Sequence, residues 1–479
     1  MIMKLKDLIV CQQNIGDIEI TGVTCDSRKV EDGFVFVCIK GSNFDGHKFA
    51  KSALQNGASV IIAEDDTGIE NQIIVKDTHA TYSDMCAKWF GNPMNSLKLI
   101  GVTGTNGKTS VTYMIKKILE SKGHKVGLIG TIQNMIGDEI IESKNTTPDA
   151  YDLNKLFDQM VQSGCDYAVM EVSSHALDQC RVYNLDFEIA IFTNLTQDHL
   201  DYHITMENYL EAKKKLFKMC KTAVINSDDE YANELMKGLD CKIVTYSTGN
   251  DSTYSAKAIK YRPASVDYEF VSDTLLNHIK VHTGGKFTVY NSLAAIVCAV
   301  ELGFDLTEVA KAISELEGVK GRAEAIPNDQ GFTIIIDYAH TPDGLKNILS
   351  TFRECEKNRL TVVFGCGGDR DKTKRPIMGS IAARYADFVI VTSDNPRSEE
   401  PSAIIDDILV GMDGTVTPYK VIENRIDAIK YAVETAKADD IIVLAGKGHE
   451  TYQILKDKTI HLDEREVVAE ALANLKDKE

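Results

Sequence analysis

Residues Gly101–Ser110 read GVTGTNGKTS, entered from the apolar run LKLIGV that starts at Leu97 and left through the helical pattern SVTYMIKKILESKG. A strand that turns through closely spaced glycines into a helix aims backbone amides and a positive helix end at one spot, which suits a phosphate chain. Lys108 is placed to reach terminal phosphates and the Thr109 hydroxyl to ligate magnesium. The strict G-x-x-x-x-G-K-[ST] spacing fails, because Val102 stands where the first glycine belongs; the order here is Gly104-x-x-Gly107-Lys108-Thr109. With the strand KVGLIG behind the helix, the stretch forms a βαβ unit, the start of a parallel sheet. Gly104, Thr105, Asn106, Gly107, Lys108, Thr109 and Ser110 are the candidate ATP-binding residues of this loop.

The same alternation extends outward. FVFVCI (34–39), SVIIAE (59–64) and QIIVKD (72–77) precede the loop, and FTIIID (332–337), TVVFG (361–365), FVIVTSD (388–394) and DIIVLAG (440–446) follow it. Helical patterns separate these runs, which predicts an α/β chain with mainly parallel sheets. Turn formers cluster at GNPMNS (91–96) and GRAEAIPNDQG (321–331), and place domain boundaries there. The reading is three domains: 1–94, a central 95–326 around the phosphate loop, and 327–479, a smaller doubly wound sheet whose strands end in polar, glycine-bearing loops.

The chain has 479 residues, room for about three domains at ~150 residues each. Its 53 basic against 71 acidic residues give a net charge of −18. That balance argues against non-specific nucleic-acid binding and against docking on anionic lipid. Anionic ligands must then be held by local devices. The eleven cysteines are scattered with no C-x-x-C, the usage of a reduced protein. The N-terminal stretch lacks a signal-peptide core, and the longest apolar run, near Leu293–Val300, stops at Glu301. A cytoplasmic protein without membrane insertion is expected.

Further motifs stand in order along the chain: EVSSHALDQCRV (171–182), TNLTQDHLDYH (193–203), YNSLAA (290–295), GRAE (321–324), DYAHTPDGL (337–345), GCGGDRDKTKRP (365–376), DNPRSEEP (394–401) and GKGHETYQ (446–453). With GTNGKT, this series resembles the Mur ligase family of ATP-dependent amide-forming enzymes, and within it the MurE type, from DSR at 26–28 to DEREV at 463–467. The resemblance implies a three-domain Mur ligase architecture, with a central P-loop-type ATPase domain and a C-terminal Rossmann-like domain. It implies a carboxylate activated by ATP as an acyl phosphate and then attacked by an amine. The implied product is UDP-N-acetylmuramoyl-L-alanyl-D-glutamate extended with meso-2,6-diaminopimelate, a peptidoglycan precursor. A monomer is expected.

The same resemblance distributes roles. Glu171, at the end of the strand YAVMEV, and His203 join Thr109 as ligands of two magnesium ions. Asn291, Arg322 and Asp337 attend the nucleotide. Ser27, Ser42, Asn43, Phe44, Asn145, Thr146, Thr147, Ser173, Gln179 and Arg181 meet the UDP-sugar; for the serines of TCDSRKV an ordinary turn is the competing reading. Lys108, Glu171, His203 and Lys213 form the catalytic set.

Lys213 is isolated by periodicity. In NYLEAKKKLFKMC a ~100° advance per residue puts Tyr209, Lys213, Leu216, Phe217 and Cys220 on one apolar stripe, with Lys214, Lys215 and Lys218 opposite. From periodicity alone, the expected outcome is an ammonium snorkelling to water. The resemblance implies another: a lysine carbamylated by CO2, an anion beside magnesium.

For the incoming amino acid, Arg397 in DNPR resembles diaminopimelate-adding members. A guanidinium can grip the distal carboxylate that lysine lacks, and an unpaired arginine penalises lysine. Asp394, Asn395, Pro396, Gly446 and Glu450 complete this set, with Glu450 facing the distal ammonium and Arg370 taking the other carboxylate. The competing readings are a lysine-adding synthetase and a regulatory P-loop NTPase; only the latter would need neither a sugar-nucleotide domain nor an acceptor pocket.

Overall fold

The computed structural model describes residues 2–11, 13–41, 44–355 and 358–476, without the side chains of Gln13 and Asn14. The predicted contacts Ser42 and Asn43 lie outside the described residues. The chain falls into two compact units, Met1–Tyr246 and Ser247–Glu479, a division inside the stretch read as the central domain.

The first unit opens with a small sheet of β1 (Gly22–Thr24), β2 (Phe34–Val37), β3 (Ala58–Ala63) and β4 (Gln72–Ile74), all parallel and in that order, with α1 (Ala50–Gln55) and α2 (Thr78–Trp89) between and after them. The run FVFV is apolar throughout because both faces are covered. Val35 and Val37 pack with Tyr82, Met85 and Trp89 on one side, while Phe36 packs with Ala53 and Ile61 on the other.

The rest of the unit is a larger sheet. In chain order it comprises β5 (Lys98–Thr103), α3 (Lys108–Ser121), β6 (Val126–Ile129), β7 (Asn134–Ile136), β8 (Glu139–Ile141), α4 (Ala150–Gln162), β9 (Tyr167–Glu171), α5 (Ser174–Asp178), β10 (Phe187–Phe192), α6 (Leu200–His203), α7 (Met206–Phe217), β11 (Cys220–Asn226) and β12 (Lys242–Ser247). Its strands lie in the order β8-β7-β6-β9-β5-β10-β11-β12. The strands β6, β9, β5, β10, β11 and β12 run parallel, and the β7–β8 hairpin adds an antiparallel edge. Register decides what meets what. Glu171 pairs with Val102 and Phe192 with Thr103, so the segments after β5, β9 and β10 emerge together at the carboxyl edge.

The second unit begins with an antiparallel meander, β13 (Tyr254–Arg262), β14 (Ser265–Val271) and β15 (Leu276–Val281), followed by α8 (Lys286–Glu301). The apolar run Leu293–Val300 is thus the inside of a buried helix. Then come β16 (Glu324–Ile326), β17 (Thr333–Asp337), α9 (Pro342–Arg353), β18 (Leu360–Phe364), α10 (Lys374–Tyr385), β19 (Phe388–Val391), α11 (Pro401–Val410), β20 (Tyr419–Val421), α12 (Arg425–Glu434), β21 (Ile441–Ala445), β22 (Tyr452–Ile454), β23 (Thr459–His461) and α13 (Glu464–Lys476). The sheet order is β16-β17-β21-β18-β19-β20, parallel except for β16. Leu345, Met378 and Ile405 cover one face, Ile429 and Val468 the other, which makes the sheet doubly wound. The apolar run FVIVTSD predicts a strand to Asp394; β19 stops at Val391, and Thr392–Asp394 form the loop at the carboxyl edge.

All eleven cysteines are free. Among the described residues no helix is long and apolar enough to cross a membrane.

Arg425 opens α12 and Glu464 opens α13, and the two form a fully buried ion pair at 2.8 Å. Arg425 Nη2 also donates to the Ala445 carbonyl at 2.8 Å, which ties this pair to the end of β21. Truncating one partner leaves the other charge buried and alone. Arg425→Ala should therefore lower stability to denaturant by about 3–5 kcal/mol; a loss under about 1 kcal/mol would show that the pair does not hold this edge.

Candidate functional site

The loop after β5 is held by the segment after β10. Thr105 N donates to the Asn194 carbonyl (2.9 Å), Asn106 N to Asn194 Oδ1 (2.9 Å), and Thr193 Oγ1 to the Asn106 carbonyl (2.6 Å). Gly104 and Gly107 adopt φ of 149° and 89°, conformations that other residues avoid. Thr193 and Asn194 also fill the space a side chain at Gly104 would need. Lys108 folds back over its own loop, with Nζ 2.8 Å from the Gly104 carbonyl and 2.9 Å from that of Thr105. Thr109 is buried on the first turn of α3, with Ser110 beside it half-buried.

Lys213 does not snorkel. Its side chain is 1% exposed, and Nζ donates to the same Gly104 carbonyl at 2.9 Å while lying 4.5 Å from the Tyr209 ring centroid. Burial, with the Lys108 charge beside it, pushes the Lys213 amine well below the usual ammonium range. Lys214 is likewise not on a solvated face: it is buried, and its Nζ reaches the Glu234 carbonyl at 3.1 Å. Neighbouring helices cover more of α7 than a single stripe.

Three histidines gather next to Lys213. His203 is buried, stacks on Tyr209 at 5.0 Å, and pairs through Nε2 with Ser174 Oγ at 2.9 Å. His175 lies 5.5 Å from the His203 ring and 4.9 Å from that of His199. His199, absent from the predicted set, is the more exposed ring, and burial first, then the Lys108 and Lys213 charges, depress its protonation against the pull of Asp198. Burial and the neighbouring imidazoles push His175 down to about 4.

Glu171 closes β9 at 1% exposure. Its carboxylate accepts from Thr131 N (2.9 Å) and Thr131 Oγ1 (3.0 Å), and Thr131 Oγ1 meets Thr146 Oγ1 at 3.0 Å. Among the described residues no lysine, arginine or histidine lies within ion-pair reach of this carboxylate. Thr147 Oγ1 donates to the Glu171 carbonyl (2.8 Å) and contacts Ser173 Oγ (3.3 Å), while Asn145 is exposed at the start of this turn. Arg181 donates to the Thr147 carbonyl (2.9 Å) and forks onto Gln179 Oε1 (3.0 and 2.6 Å). The predicted Thr146, Thr147, Ser173, Gln179 and Arg181 therefore form one connected surface against Glu171.

Ser27 and Phe44 line a cavity of about 660 Å³ that also includes Cys25, Asp26, Tyr82 and Asp149. The Arg28 guanidinium, hydrogen-bonded to Asp26, holds that carboxyl down at about 2.

In the second unit, Asn291 is buried on α8 and Arg322 lies 4.8 Å from the Tyr338 ring centroid. Asp337 accepts from Ala323 N (2.7 Å) and Ala339 N (2.9 Å); desolvation raises its carboxyl against the pull of Arg322. Gly446 N donates to the Asp337 carbonyl at 3.0 Å, which brings the amino-acid set next to it. Asp394, Asn395 and Pro396 are buried, and an added Cβ at Gly446 would lie 2.6 Å from Asp394 Oδ2. Arg397 sits at φ 52° with Nη1 donating to the Gly368 carbonyl at 2.7 Å. It is no freely solvated loop residue. Arg370 is exposed and donates to the Asp369 carbonyl at 3.1 Å. Glu450 Oε2 accepts from Asn395 Nδ2 and from Lys447 Nζ, both at 2.9 Å.

Lys447, Tyr209, Thr131 and His199 were not singled out by sequence. Tyr209 looks like an ordinary member of an apolar stripe, and Lys447 like one more charge in a loop; only tertiary contacts separate them from those readings.

His175 carries a pH consequence. Its folded pKa of about 4 lies below the ordinary histidine value of about 6.5. The unfolded chain then binds a proton that the folded chain refuses, so stability falls as pH drops from about 6.5 to about 4. Denaturation across that window should show a shallower acid limb in His175→Gln than in the parent. An unchanged limb would contradict the assignment.

Comparison with known proteins closes the question of family. The chain matches the models for the Mur ligase family catalytic domain over 19–88, the Mur ligase middle domain over 102–299, and the Mur ligase glutamate ligase domain over 321–448. It is 49% identical over 462 residues to the UDP-N-acetylmuramoyl-L-alanyl-D-glutamate--2,6-diaminopimelate ligase of Caldanaerobacter subterraneus, covering 95% of each chain. It is 46% identical to the Bacillus cereus protein of the same name, covering 98% of each. A solved structure of such a ligase superposes with a TM-score of 0.75 at 35% identity, covering 99% of this chain and 100% of that one. MurF ligase from Thermotoga maritima, solved with ADP, shares the fold at 21% identity and a TM-score of 0.60, covering 95% and 98%. With its motifs, its sheets and its full-length relatives in agreement, this chain belongs to the Mur ligase family and has its three-domain architecture.

Proposed function

We propose that the chain is an ATP-dependent, ADP-forming ligase that joins meso-2,6-diaminopimelate to the D-glutamate of UDP-N-acetylmuramoyl-L-alanyl-D-glutamate in peptidoglycan precursor synthesis. One observation carries the choice of amino acid: Arg397 is fixed by its own backbone and by Gly368, beside the Asp394–Asn395–Glu450 cluster. A guanidinium next to an acidic cluster complements the distal carboxylate and ammonium of a diamino diacid. The names of the near-full-length relatives agree. We take 1–94, 95–326 and 327–479 as the domain bounds, with the UDP-sugar in the first, ATP in the second and the amino acid in the third.

Lys108 and the amides of Gly104–Ser110 hold the triphosphate, and they lower the charge against which the substrate carboxylate approaches. That carboxylate bonds to the terminal phosphorus as ADP leaves; the diamino acid's neutral amine then bonds to the carbonyl carbon, phosphate leaves, and the nitrogen releases one proton to water. Ser27, Phe44 and the Thr146–Arg181 surface orient the UDP-sugar. Asn291, Arg322 and Asp337 are the proposed nucleotide contacts of the second unit.

The residues present fit magnesium. Glu171 is a buried carboxylate with no lysine, arginine or histidine beside it among the described residues, which is unfavourable unless a cation is supplied. Among the described residues no three His, Cys, Asp or Glu side chains form a ready cage, so Glu171, Thr109 and a histidine would be completed by phosphate oxygens and water. His203 is already engaged by Ser174, so His199 is our choice for the ring at the loop. Bound there, the metal supplies charge neutralisation at the transferring phosphoryl group. The depressed amine of Lys213 is the form that adds CO2, giving a carbamate anion and a proton.

The test is to supply ATP, magnesium, the UDP-muramoyl dipeptide and either diamino acid, and to weigh the product. Diaminopimelate should be preferred over L-lysine, and Arg397→Leu should erase about a hundredfold of that preference. A parent enzyme that favours L-lysine refutes the assignment. Lys213→Ala should lose at least about a hundredfold in turnover and recover part of it with short carboxylic acids; full activity without them refutes the carbamate.

A further inference from the structure

The acceptor loop after β21 contains a buried cation, Lys447, that meets neither phosphate nor carboxylate of the proposed substrates. Lys447 is 0% exposed, and its Nζ lies 2.9 Å from Asn395 Oδ1, 2.9 Å from Glu450 Oε2 and 3.5 Å from Asp394 Oδ1. A buried ammonium is unfavourable unless its donors are all met, and here three acceptors from two loops meet them. We propose that Lys447 is the positioning residue that makes this cluster selective for a ligand with a distal ammonium. The inference rests on the acceptor reading given under the proposed function.

Two effects follow from the geometry. The first is orientation. Asn395 Oδ1 accepts from Lys447 Nζ and from Ile454 N (2.9 Å), so the amide cannot flip, and Nδ2 is committed to Glu450 Oε2. With Oε2 doubly occupied, Glu450 is fixed, and among the described residues no donor reaches its Oε1. That oxygen is available to an incoming N–H. The second is charge. Asp394, Glu450 and Glu464 face Lys447 and Arg425, which leaves one net negative charge among these five groups, enough to hold one ammonium while Arg397 beside them meets the distal carboxylate. Without Lys447 the cluster has two uncompensated carboxylates and a mobile amide, and one fixed ammonium site is replaced by a diffuse acidic patch.

The experiment compares three acceptors on the full chain: meso-diaminopimelate, 2-aminopimelate, which lacks only the distal ammonium, and L-lysine, which lacks only the distal carboxylate. In Lys447→Met the KM for diaminopimelate should rise about tenfold, and its kcat/KM advantage over 2-aminopimelate should fall about tenfold. The advantage over L-lysine and the KM for ATP should move less than about threefold, because Arg397 and the phosphate loop are untouched. If Lys447→Met does not fold, Lys447→Gln, which keeps a donor to Asn395 but not the charge, gives the same comparison. A uniform fall in kcat with every ratio preserved assigns Lys447 a purely structural role and overturns the proposal. A parent enzyme that ligates no diamino acid overturns the acceptor reading, and the role of Lys447 with it.

Discussion

Two lysine amines converge on one carbonyl oxygen. Lys108 and Lys213 both donate to the Gly104 carbonyl, one from the start of α3 and the other from the middle of α7. A single dipole cannot offset two adjacent positive charges in a desolvated place, and the buried partner yields its proton most readily. The loop is therefore set up for an anion. The glycine backbone, the clamp from Thr193 and Asn194, and the apolar packing of α7 all keep these nitrogens together, so the chemistry of the first unit depends on this one point.

The same logic runs through an acidic chain. A net charge of −18 gives no general attraction for nucleotides or carboxylated substrates. Positive charge is concentrated instead at strand ends, where parallel sheets expose loops and helix N-termini. Lys108 and Arg181 serve the first unit. Arg397 serves the second, held by the Gly368 carbonyl, while Lys447 and Arg425 there are engaged by buried carboxylates.

Much of this was legible in sequence. The βαβ unit at Gly101 follows from local pattern, and the covered strands FVFV and TIIID follow from continuous apolarity. Periodicity isolated Lys213 on an inward stripe but gave the wrong outcome, since whether a lysine snorkels depends on what lies above the stripe. Lys214 was misplaced for the same reason. The β7–β8 hairpin is short and turns at Gly137, too little pattern to separate from a loop. Lys447 was invisible because its partners come from a loop fifty residues earlier as well as from its own turn. Of the two histidines in DHLDYH, spacing cannot say which ring would serve a metal; the contact of His203 to Ser174 is the ground on which His199 is proposed.

The most direct test of the account is carbon NMR of the purified protein in 13C-bicarbonate, with Lys213→Arg as the control. A depressed, buried amine between Lys108 and the Tyr209 ring predicts a carbamate resonance that the control lacks. A fully active enzyme with no such resonance, or with the same resonance in Lys213→Arg, would contradict it.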